Sequence, residues 1–236
     1  MKAAFKYSFF ALIAVILAGC GERIIELPGA KVLPIDYYWL TINFRDASGN
    51  DLIAPLGDER WKPARDHSNW AGEINPDKYK LDILLSNPHE SWDNTIYNYM
   101  ATEAFIPDEN RPYFTIAKYN EDFKGTLTYK GEQLDGYCYL FSNFGIPAIN
   151  GLQQSLTYNI TCPAIFGDNL THNIVTYWAE DKNASNNSDD ETILFQYPQC
   201  TGASFDGKEI IVKSAVVYAT ESRQYYSYFI DIALDK

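Results

Sequence analysis

This chain of 236 residues contains the residue types that perform chemistry, but their spacing is poor for it. His67, His89 and His172 are the only histidines, so a histidine-rich metal or catalytic centre has little material. His89-Glu90 starts like a zinc-protease helix, yet Ser91-Trp92-Asp93 follows and the second histidine needed four places on is absent. Gly202-Ala203-Ser204-Phe205-Asp206 comes within one residue of a nucleophile elbow and lacks its final glycine. Carboxylates are numerous enough for a glycosidase pair, and nothing in their spacing selects two of them. His172 alternates with Ile174 and Trp178, which assigns it to a packed face rather than to a site.

Two groups of residues have binding chemistry instead. Asp46, Ser48, Asn50 and Asp51 set oxygen ligands at short spacing, as a calcium loop does. The stretch lacks the glycine and the twelfth-position glutamate of an EF-hand, and a tight turn using Gly49 and Asn50 accounts for the same residues. Asp189, Asp190 and Glu191 offer a second acidic cluster, for which a solvated loop tip is the default. Trp61, Trp70 and Trp92 lie in turn-rich surroundings beside Arg, His, Asp and Asn. Flat rings flanked by hydrogen-bonding groups can stack on sugars, so these three are the candidate glycan platform. Rings that cover the ends of a sandwich explain them equally well.

The N-terminus carries the most specific pattern. Lys2 and Lys6 precede the apolar run Phe9–Leu17, which is too short to span a membrane and has the length of a signal-peptide core. Leu17-Ala18-Gly19-Cys20 follows. This run resembles the lipobox of bacterial lipoproteins, and the chain as a whole resembles outer-membrane lipoproteins of the Bacteroidetes type. The resemblance implies cleavage before Cys20 and acylation of that cysteine on sulfur and amine. Gly21, where inner-membrane retention uses Asp, implies the outer membrane as destination. Two or three acyl chains make a stable anchor where one binds only reversibly. Residues 1–19 are then a discarded signal and residues 20–34 a lipidated tether, its part after Cys20 spanning at most about 46 Å at ~3.3 Å per residue.

Removing the signal takes two lysines and no acid, so the formal charge of -12 becomes 17 - 31 = -14. Such a domain has no basic face for nucleic acid and is repelled by anionic lipid, leaving the lipid as its hold on the membrane. Three cysteines remain: Cys138, Cys162 and Cys200. In an oxidising envelope one disulfide is expected. Cys162 and Cys200 both neighbour proline-containing turns and are the favoured pair, closing a loop of 39 residues worth about 4 kcal/mol in the entropy model. Three buried thiols are the alternative.

The elements that must position these residues are strands. Tyr38, Leu40, Ile42 and Phe44 alternate with polar neighbours, as do Tyr79, Leu81, Ile83 and Leu85. The pattern recurs in Leu152, Leu156, Tyr158 and Ile160, and in Tyr226, Tyr228, Ile230, Ile232 and Leu234. Period two buries one strand face and wets the other. Weaker runs near 96–105, 113–119, 125–130, 136–142, 172–179, 192–197 and 209–220 bring the total to about ten strands. No amphipathic helix is sustained outside the signal, and the polar run Glu180–Glu191 cannot join a core. Residues 35–236 are therefore expected to form a single antiparallel β-sandwich, an all-β domain. A break near Gly145–Gly151 would give two smaller sandwiches. The functional expectation is a lipid-anchored, non-catalytic envelope domain that binds a glycan or a partner protein and needs no cofactor beyond calcium at the Asp46 loop. The alternative is an envelope hydrolase acting on polysaccharide or peptide.

Overall fold

The computed structural model describes residues 35–58, 70–74, 76–88, 97–98, 114–118, 128–134, 138–148, 151–181, 195–219 and 224–236. Pro34–Lys236 is one compact unit. Strands dominate it: β1 (Ile35–Arg45), β2 (Gly57–Asp58), β3 (Trp70–Ile74), β4 (Lys80–Leu85), β5 (Tyr97–Asn98), β6 (Thr115–Lys118), β7 (Thr128–Tyr129) and β8 (Glu132–Gln133). There follow β9 (Cys138–Pro147), β10 (Ser155–Thr161), β11 (His172–Ala179), β12 (Phe195–Gln196), β13 (Gln199–Phe205), β14 (Lys208–Ile210), β15 (Val212–Ala219) and β16 (Gln224–Ala233). The one described α-helix is a single turn, Pro163–Phe166, begun by its proline and ended by Gly167 in the left-handed conformation at φ 82°.

Two sheets pack face to face. Sheet I has nine strands, with the path β15-β16-β1-β9-β6-β3-β2 and with β12 and β5 attached to β1 and β9. Sheet II has five, in the order β14-β13-β11-β10-β4. The all-β sandwich expected from the alternation is what forms. It is antiparallel apart from β1, which pairs β16 and β12 in parallel. β9 runs unbroken through Gly145, so the chain does not divide there. A Cβ on Gly145 would stand 2.8 Å from Cε1 of Tyr37, its register partner on β1, and the missing side chain is what lets that ring lie against β9.

The layer between the sheets is apolar. Tyr38, Leu40, Ile42 and Phe44 of β1 face Leu156, Tyr158 and Ile160 of β10 and Ile174 of β11, all buried. Rings dominate one region, where Phe114 stacks on Tyr79 and Tyr158. The expectation of one wet face fails for β1. Tyr37, Thr41 and Asn43, on its other side, are buried as well. The Thr41 and Ser227 hydroxyls share a hydrogen bond of 2.7 Å there, and Tyr139 meets Phe229 edge to face. Asp231 pairs with Arg45 at 3.0 Å and Lys213 at 2.7 Å on the same side. A strand at the middle of a nine-stranded sheet is thus covered on both faces, with Thr41 and Ser227 bonded to each other on the second face while Trp39 Nε1 there makes no hydrogen bond.

The expected Cys162–Cys200 disulfide does not form; both are buried free thiols. Register explains it. Cys162 follows the level where Ile160 pairs His172, whereas Cys200 pairs Trp178, six residues further along β11. At ~3.3 Å per residue they are about 20 Å or more apart, against the ~7 Å limit between Cα atoms of a bridge. Burial pushes the Cys200 thiol up to about 12 and raises that of Cys162, so both stay protonated at neutral pH.

Candidate functional site

The residues singled out from sequence scatter. Cys20, Trp61 and Trp92 lie outside the described residues, as do Asp189, Asp190 and Glu191. Trp70 opens β3, with its backbone paired to Ala117, and so belongs to a strand rather than a turn. Asp46, Ser48, Asn50 and Asp51 do come together, as a self-contained turn. Asp46 Oδ1 accepts the backbone N–H of Ser48 and Asn50, and its Oδ2 accepts the Asn50 amide at 2.8 Å. Asp51 Oδ1 accepts Ile53 and Ala54 N–H. Those donors hold the Asp46 carboxyl below its ordinary pKa, the Asn50 amide most strongly. Gly49 supplies the left-handed step at φ 83°, while Asn50 does not. The carboxylates thus bind their own turn, and no group of three or more His, Cys, Asp or Glu side chains that could hold a metal ion occurs among the described residues.

Sheet II presents an open outer face. In β10 the sequence alternation sends Leu156, Tyr158 and Ile160 inward, so Ser155, Thr157, Asn159 and Thr161 point out. The same parity turns out Lys80, Asp82 and Leu84 of β4 and Asn173, Val175 and Tyr177 of β11. Register aligns Asp82, Asn159 and Asn173 in one row, and their side chains bond in series. Asn159 Nδ2 donates to Asp82 at 3.4 Å and Asn173 Nδ2 to Asn159 Oδ1 at 2.7 Å. The amides are thereby held in one orientation across three strands. Next to this row lie Leu84, 53% exposed, then Thr157 and Val175. Beyond them Tyr177, 48% exposed, pairs with Gly202 and reaches across it, 3.6 Å from where a Cβ would stand. Covering a bare glycine accounts for one side of that ring; the other side is open to solvent.

At the end of the sandwich where β1 finishes, His172 stacks on Phe166 and lies beside Phe205, with ring centroids 4.0 and 5.8 Å away, and the two phenyl rings also contact each other at 6.1 Å. Its Nδ1 is 2.7 Å from Asp206 and its Nε2 3.3 Å from Asp168. Both ring nitrogens therefore face carboxylates, an arrangement that suits the doubly protonated imidazolium. Burial works against that charge, but the bonds to Asp206 and Asp168 outweigh it and the pKa rises. Asp206 and Gly207, at φ 46° and 79°, form the two-residue hairpin turn between β13 and β14. Asp206 also accepts Asn173 N–H, which ties this turn to the amide row. The expected packed position of His172 is correct. Ser204 pairs Val175 and so lies on the opposite face from His172, and the near-elbow sequence forms no pair with that histidine.

The other end, where β1 starts, holds a cleft of about 780 Å³ walled by Ser86, Asn87, Leu152, Gln154, Trp178 and Glu180. A chain of buried hydrogen bonds runs behind it. The Gln153 side chain exchanges bonds of 2.7 and 2.8 Å with the Asn87 backbone. Gln153 N–H donates to Tyr38 Oη at 2.8 Å, and Tyr38 donates at 3.4 Å to Asp36 Oδ2. Tyr38 also meets the Trp178 ring edge to face. Asp36 is 1% exposed, and its Oδ1 makes no hydrogen bond. Burial raises its pKa to about 6, against the Tyr38 bond and with a further push from the Glu180 charge.

Sequence reasoning passed over Tyr177, Trp178 and Asp36. One signal for Asp36 was present: it shares the even parity of Tyr38 and Leu40, which places an acid in the apolar layer. Comparisons with protein families, with curated proteins and with solved structures give no match.

Proposed function

We propose that this chain is a lipid-anchored lipoprotein of the bacterial outer membrane whose sandwich binds a neutral glycan on the outer face of sheet II. The anchor reading rests on Leu17-Ala18-Gly19-Cys20 after a short apolar run. The observation that carries the glycan reading is the half-exposed Tyr177 ring beside the fixed row Asp82, Asn159 and Asn173. A sugar offers an apolar ring face and a fringe of hydroxyls, and it is matched by an aromatic surface flanked by oriented amides. Binding, rather than turnover, suits a flat face built on paired strands. The ligand would lie along the sheet, crossing from Tyr177 through Thr157 toward the amides.

The test is a panel of neutral oligosaccharides applied to the chain processed at Cys20 and held in detergent. At least one should bind, and Tyr177→Ala should weaken it by about five- to tenfold, the loss expected from removing one stacking ring at ~1–1.5 kcal/mol. Unaltered binding by the variant, with its circular dichroism unchanged, rejects the face as the site. For the anchor, Cys20→Ser should move the protein from the membrane fraction to the soluble one; unchanged fractionation rejects it.

A further inference from the structure

The cleft where β1 starts lies beside a buried acid whose second carboxylate oxygen makes no hydrogen bond, and it carries an exposed acid on its wall. Asp231 has Arg45 and Lys213 against it, and Asp168 and Asp206 share His172. Asp46 and Asp51 are satisfied by backbone N–H groups. Asp36 has the Tyr38 hydroxyl on one oxygen and nothing on the other, although it is buried between the sheets. Glu180 stands on the cleft wall close enough to raise the Asp36 pKa, and no cation among the described residues pairs with either acid. Two like charges near a partly desolvated cavity repel each other, and a cation placed between cleft and wall relieves that repulsion.

We infer that this cleft binds a ligand bearing a primary ammonium group, with the ammonium on Glu180 and the body of the ligand against Leu152 and Trp178. The cavity, about 780 Å³, takes a molecule of disaccharide size. Ser86, Asn87 and Gln154 add hydrogen-bonding groups to the wall. Asn87 is held in place by Gln153, which is itself fixed by Tyr38, so this polar wall is set before a ligand arrives. The apolar part of the lining favours an aliphatic or sugar body over a bare metal ion. The ammonium could be carried by a deacetylated amino sugar or by an alkyl amine, and the chemistry recognised is the same. The site is separate from the outer face of sheet II, since Trp178 points inward where Tyr177 points out.

Calorimetric titration of the full chain in detergent tests it with four probes: a glucosamine disaccharide, its N-acetylated counterpart, cadaverine and pentanediol. At least one ammonium probe should bind, and its uncharged counterpart should bind at least about tenfold more weakly. Saturation by cadaverine assigns an alkyl-amine ligand, and saturation by the glucosamine disaccharide alone assigns an amino sugar. Glu180→Gln, an exposed position where folding is not at stake, should weaken the bound probe by about tenfold, while Tyr177→Ala leaves it unchanged. Failure of both ammonium probes to bind, or equal binding by Glu180→Gln and the parent, overturns the inference. Neither result touches the glycan reading of the outer face.

Discussion

Asp206 and Asp36 sit at opposite ends of the same sandwich and show two ways of keeping a carboxylate. Asp206 holds a hairpin turn, accepts a backbone N–H and faces an imidazole at 2.7 Å. Around it Asp168, Asp46 and Asp51 likewise find donors within their own loops. Asp36 is deeper than any of these and has a single long bond of 3.4 Å. The end with His172 is closed by its polar groups, whereas the end with Asp36 carries an unfavourable group beside an open cleft. Poorly compensated buried groups cost stability, and proteins retain them mainly where a site needs them. The contrast therefore points to the start of β1, and away from the tidy histidine–aspartate cluster that looks more like a catalytic centre.

Removing the charge at the Asp36 end has the largest expected effect. The folded pKa of Asp36, about 6, lies above the ordinary 3.8, so the folded state holds this proton more tightly than the unfolded chain does. That contribution is full below about pH 4 and is lost as pH rises through about 6. The gap corresponds to about 3 kcal/mol. Asp36→Asn should be more stable than the parent by up to that amount at pH 8 and should match it near pH 4, as read from urea midpoints. Equal stability at pH 8 would place the Asp36 carboxylate in a solvated setting and remove the contrast between the ends.

At the other end the effect is smaller and lies at higher pH. The pKa of His172 is raised above its ordinary 6.5, so its bonds to Asp206 and Asp168 stabilise the fold below that value and fade as pH rises through the folded one. His172→Gln should cost about 1 kcal/mol at pH 5 and less at pH 8.5, measured by the same denaturant series. Because the two titrations lie in different windows, the double variant should lose both pH dependences independently. The sites are far enough apart for their effects to add.

Much of the architecture could be read from alternation alone. The inward residues of β1, β4 and β10 are those the period-two pattern selected, because one-sided burial leaves that mark on a strand; in β16 it selected Tyr228, Ile230 and Ile232 correctly, but Tyr226 is exposed and Phe229 of the opposite parity is buried. β13 left none, since Cys200, Gly202 and a bulge beside Trp178 interrupt its period. The second buried face of β1 was also hidden: Thr41 and Asn43 look like solvent-facing residues, and only the strand's place in the middle of a nine-stranded sheet covers them. The disulfide reading failed because both cysteines sit beside prolines in similar local sequence, while their separation is set by strand register. Tyr177 was legible as an aromatic in a strand, but its exposure depends on Gly202 in a neighbouring strand.

The parallel pairing of β1 with β16 has a consequence for how the chain reaches this state. Thr41 and Ser227, bonded across that pairing, are separated by 186 positions. The middle strand of sheet I acquires one of its two long neighbours only when the last strand of the domain is in hand. Closing so long a loop is entropically costly before any contact rewards it, and folding rates fall as contacts become more distant in sequence. A chain emerging N-terminus first holds β1 with one long edge unpaired until nearly all of it has arrived. The delay leaves β1 as the segment most in need of shielding while the chain is incomplete.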